Sequence, residues 1–218
     1  MNSIAILGGT GQQGRGLAQR FAVAGMRVIV GSRDPQRAEE LVAAWGDGRE
    51  RIEVVDNIAA VERNTLTVLA VPFASVDALL SELHDHFRDG STVIDVTVPV
   101  TFTAGKMTML EVAEGSASEH IRARLPSHVH LAAAFKTIPA HLLAAAHEPL
   151  DCDEFLCADS DEARARAIAL IERLPGLRPV DVGPLARARF IEHLTALAIA
   201  INRRHKIRDA RFHVVGLP

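Results

Sequence analysis

The chain has no tyrosine and one tryptophan, and aromatic residues make up 4% of its 218 residues. Without tyrosine, no mechanism built on a phenolic acid is open, the Tyr-Lys chemistry of short-chain dehydrogenases included. Two cysteines, Cys152 and Cys157, are too few for a disulfide framework and too far apart for C-x-x-C redox chemistry. They read as buried or free thiols in a reducing compartment, so a cytoplasmic location is expected. No apolar run reaches the ~20 residues of a membrane span, and no membrane partner is expected. No secretory leader is read either, because the chain enters an apolar strand almost at once. Positive charge is not in excess: 24 Lys and Arg face 27 Asp and Glu, for a net charge of -3. That balance disfavours nucleic acid as a partner.

What is present is ordinary for a globular enzyme, with 48% hydrophobic and 23% charged residues. Disorder, collagen and coiled coil are excluded as descriptions of the whole. The length suits one domain, or one domain with a small appendage, that buries roughly 70% of its unfolded surface.

Apolar runs alternate with helical patterns. Strands are predicted at Ser3–Leu7, Arg27–Gly31, Ile52–Val55, Leu66–Val71 and Thr92–Val96. Helices are predicted over Gly14–Ala24 and from Pro35 to about Trp45, the second with Asp34 as its N-cap. This rhythm means a parallel sheet with helices on both faces. Further along, a helix at Ser116–Leu125 and a strand at Val129–Phe135 are expected. Phe155–Ala158, Asp161–Arg173 and Arg178–Val182 read as strand, helix, strand. Pro184 to about His205 reads as one long helix, apolar over much of its girth. Residues 1–150 are assigned to a dinucleotide-binding domain and 151–218 to a smaller C-terminal region.

The run Gly8-Gly9-Thr10-Gly11-Gln12-Gln13-Gly14 follows a strand and opens a helix. It fits G-x-G-x-x-G through Gly9, Gly11 and Gly14, and G-x-x-G-x-x-G through Gly8, Gly11 and Gly14. Either way it is a phosphate-binding turn, in which glycine lets the backbone approach a pyrophosphate at a helix N-terminus. The fold class is therefore α/β, a Rossmann-type doubly wound and mainly parallel sheet with a small C-terminal helical part. The second strand ends Val30-Gly31-Ser32-Arg33, where an NAD enzyme carries an acid. A hydroxyl and a guanidinium suit a 2′-phosphate instead, with Arg37 one turn further on, so NADP(H) is expected. Ala70-Val71-Pro72-Phe73 and Thr97-Val98-Pro99 end two more strands, where ligands bind in such sheets. The plain alternative for Pro72 and Phe73 is a loop proline with a core phenylalanine.

With ILGGTGQQG, VGSR, AVPF, FKTIPA (Phe135–Ala140) and GLRPVDVGPL (Gly176–Leu185) in this order, the chain resembles the F420-dependent NADP oxidoreductases from end to end. The resemblance implies hydride transfer between NADP(H) and the deazaflavin coenzyme F420 as co-substrate, and a homodimer. It implies that the backbone of the turn Gly9, Gly11, Gln12, Gln13 and Gly14 contacts the pyrophosphate, and that Thr10 belongs with the group around the 2′-phosphate. Ser32, Arg33 and Arg37 fall at the 2′-phosphate. Ala70, Val71, Pro72, Phe73 and Val98 lie along the nicotinamide side, and Thr137, Ile138 and Pro139 at the deazaflavin edge. Lys136 stands where archaeal members carry His, and is the candidate catalytic group. An ammonium near the ring region that gains electrons stabilises that charge; the plain alternative is a structural ion pair. Substitution of Lys for His also leaves open an NADPH-dependent reductase of a flavin or small-molecule acceptor. A non-catalytic NADP(H) sensor is the third reading.

No metal is required for this chemistry. His84-Asp85-His86 reads as a solvated helix end, and His128 and His130 as ordinary strand neighbours. The basic set Arg187, Arg189, Arg203, Arg204, Lys206, Arg208 and Arg211 reads either as a solvated face or as a guide for the anionic tail of F420. Leu194, Leu197 and Ile201 are expected across a two-fold axis.

Overall fold

The computed structural model describes residues 2–103 and 106–217. Its elements in chain order are β1 (Ser3–Leu7), α1 (Gln12–Val23), β2 (Arg27–Ser32), α2 (Pro35–Ala43), β3 (Ile52–Asp56), α3 (Asn57–Glu62), β4 (Leu66–Leu69), α4 (Val76–Leu83) and β5 (Thr92–Asp95). They continue with β6 (Val100–Thr103), β7 (Lys106–Met109), α5 (Ala117–Arg122), β8 (His130–Ala133), α6 (Ala140–Ala144), β9 (Cys152–Ala158), α7 (Asp161–Ile171), β10 (Leu177–Asp181) and α8 (Ala188–His205).

Eight strands form one sheet in the order β10-β9-β8-β5-β4-β1-β2-β3. All neighbours are parallel except β8 and β9. The expected doubly wound sheet is thus present. The strands read as continuous apolar runs because both faces are covered. Alternation splits each strand between two cores. Ile4 and Ile6 of β1 join Leu17, Phe21, Leu143 and Leu170 on the side of α1, α6 and α7. Ala5 and Leu7 join Val61, Leu80, Ile121 and Ile191 on the side of α3, α4, α5 and α8. Helix starts follow their caps: Asp34, Asp56, Ser116 and Ser160 each accept a backbone N–H in the first turn.

Two expected bounds change and one hairpin is new. Across residue 150 the sheet is continuous, since β9 pairs with β8 in the C-terminal region. The predicted helix from Pro184 starts as a short 3-10 turn at Leu185–Arg187, and the α-helix proper begins at Ala188. An antiparallel hairpin, β6–β7, follows β5 and stands outside the main sheet. The strand β8 stops two residues before the expected Phe135, which takes a left-handed backbone at φ 56°.

Candidate dinucleotide and acceptor site

Chain order places the site. From β1 the chain runs outward through β2 and β3, then returns to the other side of β1 for β4, β5 and β8. The reversal opens a crevice at the carboxyl ends of β1 and β4. A cleft of about 660 Å³ lies there. Its lining includes Gly8, Thr10 and Gly11 after β1, Ser32, Arg33 and Arg37 after β2, Asn57 after β3, and Ala70, Val71 and Pro72 after β4.

The glycine turn is shaped by close approach. Gly8 sits at φ 76°, and a Cβ there would lie 2.5 Å from the Ala70 carbonyl oxygen. A Cβ on Gly14 would lie 2.4 Å from the Gly8 carbonyl oxygen. No side chain fits at either place. Gly11 and Thr10 are exposed at the cleft, while Gly9 and Gly14 are buried beneath the turn. The turn thus presents backbone N–H groups at the N-terminus of α1, an anion site by construction.

Past β2 the charges are arranged for a phosphate. Asp34 is taken up as the cap of α2, where its carboxylate accepts from the Arg37 N–H at 3.1 Å. The Ser32 hydroxyl donates to the Asp34 carbonyl at 3.0 Å. Among the described residues, no carboxylate pairs with Arg33 or Arg37, and both are exposed in the cleft lining. Two free guanidinium groups and a spent aspartate are the opposite of what a ribose 2′-hydroxyl needs.

The segment after β8 is built differently. Gln12 is exposed, but Gln13 turns inward: its side-chain amide donates to the carbonyls of Phe135 at 3.0 Å and Ile138 at 3.3 Å. It therefore ties the nucleotide turn to the 135–139 loop rather than facing a pyrophosphate with its side chain. Thr137 and Ile138 are buried and Pro139 is half-buried. None of Thr137, Ile138, Pro139, Phe73 and Val98 lines the cleft, although all lie at carboxyl ends of strands on its β4-β5-β8 side. The Phe73 ring packs on His120 with centroids 5.0 Å apart.

Lys136 is the main correction. Its side chain has no exposed surface. The ammonium donates to Asp95 Oδ2 at 2.7 Å, to the Thr97 carbonyl and to Glu192 Oε1 at 3.3 Å. Burial acts to discharge it, but Asp95 and Glu192 more than offset this and hold its pKa above the ordinary lysine value. The same burial, reinforced by Asp95 and opposed by the ammonium, pushes the Glu192 carboxyl up. An ammonium enclosed in this way does not touch a ligand, so Lys136 is not placed as a catalytic residue.

The family model described as NADP oxidoreductase coenzyme F420-dependent matches residues 3–99. The F420-dependent NADP reductase of Methanothermobacter thermautotrophicus is 38% identical over 222 aligned positions, covering 99% of this chain and 95% of that protein. The namesake from Methanocaldococcus jannaschii is 30% identical, with 98% of each chain covered. The chain belongs to the F420-dependent NADP reductase family. A crystal structure of an Arthrobacter sp. protein shares the fold, with a TM-score of 0.85 at 24% identity, over 97% of this chain and 98% of that one.

Several residues of this F420-dependent NADP reductase relative escaped the sequence reading. Asn57, Ser75, Leu79 and Glu82 line the cleft. Asn57 was within reach, since it follows the third predicted strand. Ser75, Leu79 and Glu82 come from the α4 side, whose rotation only packing sets. Asp95, Glu154 and Glu192 are buried carboxylates at or near zero exposure. A carboxylate inside an apolar strand was the available signal for Asp95 and Glu154. In the basic set, Arg187, Arg189 and Arg211 are bound to Val182, Glu119 and Leu150, while Arg203, Arg204, Lys206 and Arg208 are exposed.

Proposed function

We propose that this protein transfers a hydride between NADP(H) and coenzyme F420, in the cytoplasm and as a homodimer. The observation that carries the cofactor choice is the pair of unopposed guanidinium groups, Arg33 and Arg37, beside an aspartate already used as a cap. The residues present fit the dinucleotide: the absence of a Cβ at Gly8 and Gly14 lets the turn fold tightly on itself, so that Thr10 and Gly11 stand exposed at the cleft at the N-terminus of α1. When bound, NADPH supplies the hydride and the deazaflavin accepts it. The protein's part is to hold and orient. Backbone amides of residues 9–14 and the dipole of α1 would hold the pyrophosphate. Arg33, Arg37 and Ser32 would hold the 2′-phosphate. Ala70–Phe73 and Val98 would wall the nicotinamide, and Thr137–Pro139 the acceptor. Hydride transfer passes from carbon to carbon and calls for no protein base, so precise orientation is the main lever.

The homodimer reading rests on α8. Phe190 and Leu197 are 65% and 49% exposed, and Leu194 and Ile201 are half-buried beside them. The 4-3-4 spacing makes one apolar seam, which a second copy about a two-fold axis matches with itself. Light scattering at micromolar concentration gives a dimer mass; a monomer mass overturns this part.

The test of the function is spectroscopic. NADPH bleaches the absorbance of F420 in the presence of the protein, and NADH does so far more slowly. The alternative acceptor is a flavin, so the same assay is run with FMN. Turnover of FMN and not F420 selects it; binding of NADPH with no turnover of either selects a sensor.

A further inference from the structure

The loop after β8 is held at nearly every polar atom, and by elements that are far apart in sequence. Gln13, from the nucleotide turn, takes the carbonyls of Phe135 and Ile138. The Thr195 hydroxyl of α8 donates to the Lys136 carbonyl at 2.9 Å. Glu154 of β9 accepts from the Thr137 hydroxyl at 3.1 Å. The Lys136 ammonium reaches Asp95 of β5 and Glu192 of α8. Asp95 is fixed in turn by the Ser118 hydroxyl at 2.6 Å and the Thr97 N–H at 2.7 Å, and Glu192 by the Ala117 N–H at 3.2 Å.

We propose that Asp95, Lys136 and Glu192, with Glu154 beneath the loop, are positioning residues that fix the 135–139 segment as a rigid wall for the acceptor. The proposal rests on reading this loop as the acceptor edge.

Two features argue for positioning over simple stability. A buried ionic group adds little net stability compared with apolar residues of the same volume, while it demands one geometry. This one contains two carboxylates against one ammonium, all fully or almost fully buried. The second feature is Phe135. A non-glycine residue at φ 56° is uphill and persists only where its surroundings over-determine it. Here the bonds from Gln13 and Thr195 close on the carbonyls of that residue and its neighbour, and Glu154 holds Thr137 one residue further on. The loop's shape is therefore imposed by tertiary contacts, at the place where small displacements are costly to hydride transfer.

The test separates holding the loop from holding the fold. Lys136→Met removes the cation and leaves two buried carboxylates. Lys136→Met/Asp95→Asn also removes one of those carboxylates. Glu192→Gln is the mild variant, which keeps the Lys136–Asp95 pair. Unfolding midpoints, NADPH affinity, F420 affinity by fluorescence titration with NADP+ present, and amide exchange of peptides spanning 134–140 are measured on each. Lys136→Met is expected to lose stability and to bind F420 ten- to a hundredfold more weakly, with NADPH affinity within twofold. The double variant is expected to regain stability but not F420 affinity, and its 134–140 amides to exchange at least tenfold faster than in the wild type. Glu192→Gln is expected to weaken F420 binding severalfold without loss of fold. If the double variant regains stability and F420 affinity together, or exchange at 134–140 stays at the wild-type rate, the group is only a structural ion cluster. A wild type that binds no F420 overturns the acceptor reading itself, a result distinct from variants that match a competent wild type.

Discussion

The carboxyl ends of β2 and β8 treat charge in opposite ways. Beside β2, Arg33 and Arg37 stand in solvent with no carboxylate partner among the described residues. Beside β8, Lys136 is sealed between Asp95 and Glu192. An exposed cation without a partner is available to a ligand and contributes little to the fold. A buried cation with two partners is unavailable to a ligand, and the fold depends on it. The same residue type, a cation just past a strand, is thus free for a ligand at one strand end and part of the architecture at the other.

The largest expected effect tests that contrast in stability. Lys136→Met strands two buried carboxylates and is expected to cost about 3–5 kcal/mol in chemical denaturation. Arg33→Ala, in the same experiment, stays within about 0.5 kcal/mol. Similar losses for both dissolve the distinction.

Next is cofactor choice. Arg33→Ala gives up a charge-assisted contact to the 2′-phosphate, about 1.5–3 kcal/mol or a ten- to hundredfold rise in KM for NADPH. Turnover with NADH is expected to be unchanged. Parallel loss with both cofactors removes Arg33 from the phosphate site.

A smaller effect comes from Glu154, whose carboxyl burial pushes up to about 8. A raised folded-state pKa stabilises the fold fully below the unfolded value, near 4.5. That contribution declines as pH rises and is gone above about 8. Wild-type stability should therefore fall between pH 6 and 8, and Glu154→Gln should flatten the profile over that window. Thermal melts across the range decide it; an equal slope in the variant means Glu154 does not titrate there.

The smallest is Asp34→Ala. Losing the cap of α2 costs about 1 kcal/mol. The ratio of NADPH to NADH activity should not move, because the carboxylate is committed to the helix and not to a ribose. A shift toward or away from NADH would show that Asp34 faces the ligand after all.

Much of the nucleotide end was legible because its signals are local. The glycine spacing, the strand-to-helix context and the Ser32-Arg33 ending lie within one strand-helix-strand unit, and Asp34 caps the helix it precedes. The acceptor end was legible only as a place. FKTIPA marked the loop, but the direction of the Lys136 side chain depends on Asp95, 41 residues earlier, and Glu192, 56 residues later. The hairpin β6–β7 pairs with itself outside the main sheet, and its alternation is short, with Thr101, Phe102 and Thr103 all exposed and no core behind it to give the pattern weight.

Taken alone, the amino-acid sequence determined the strand-helix rhythm, the phosphate turn and the preference for NADP(H). Each of these follows from neighbouring residues: hydrophobic periodicity, the absence of Cβ, and the sign of a charge at a strand end. Tertiary structure decided that β9 and β10 extend the same sheet, that Gln13 clasps the 135–139 loop, and that Lys136 points into the protein. The physical reason is that a buried charge goes where its counter-charges are. Those arrive from β5 and α8 only once the sheet has closed over them.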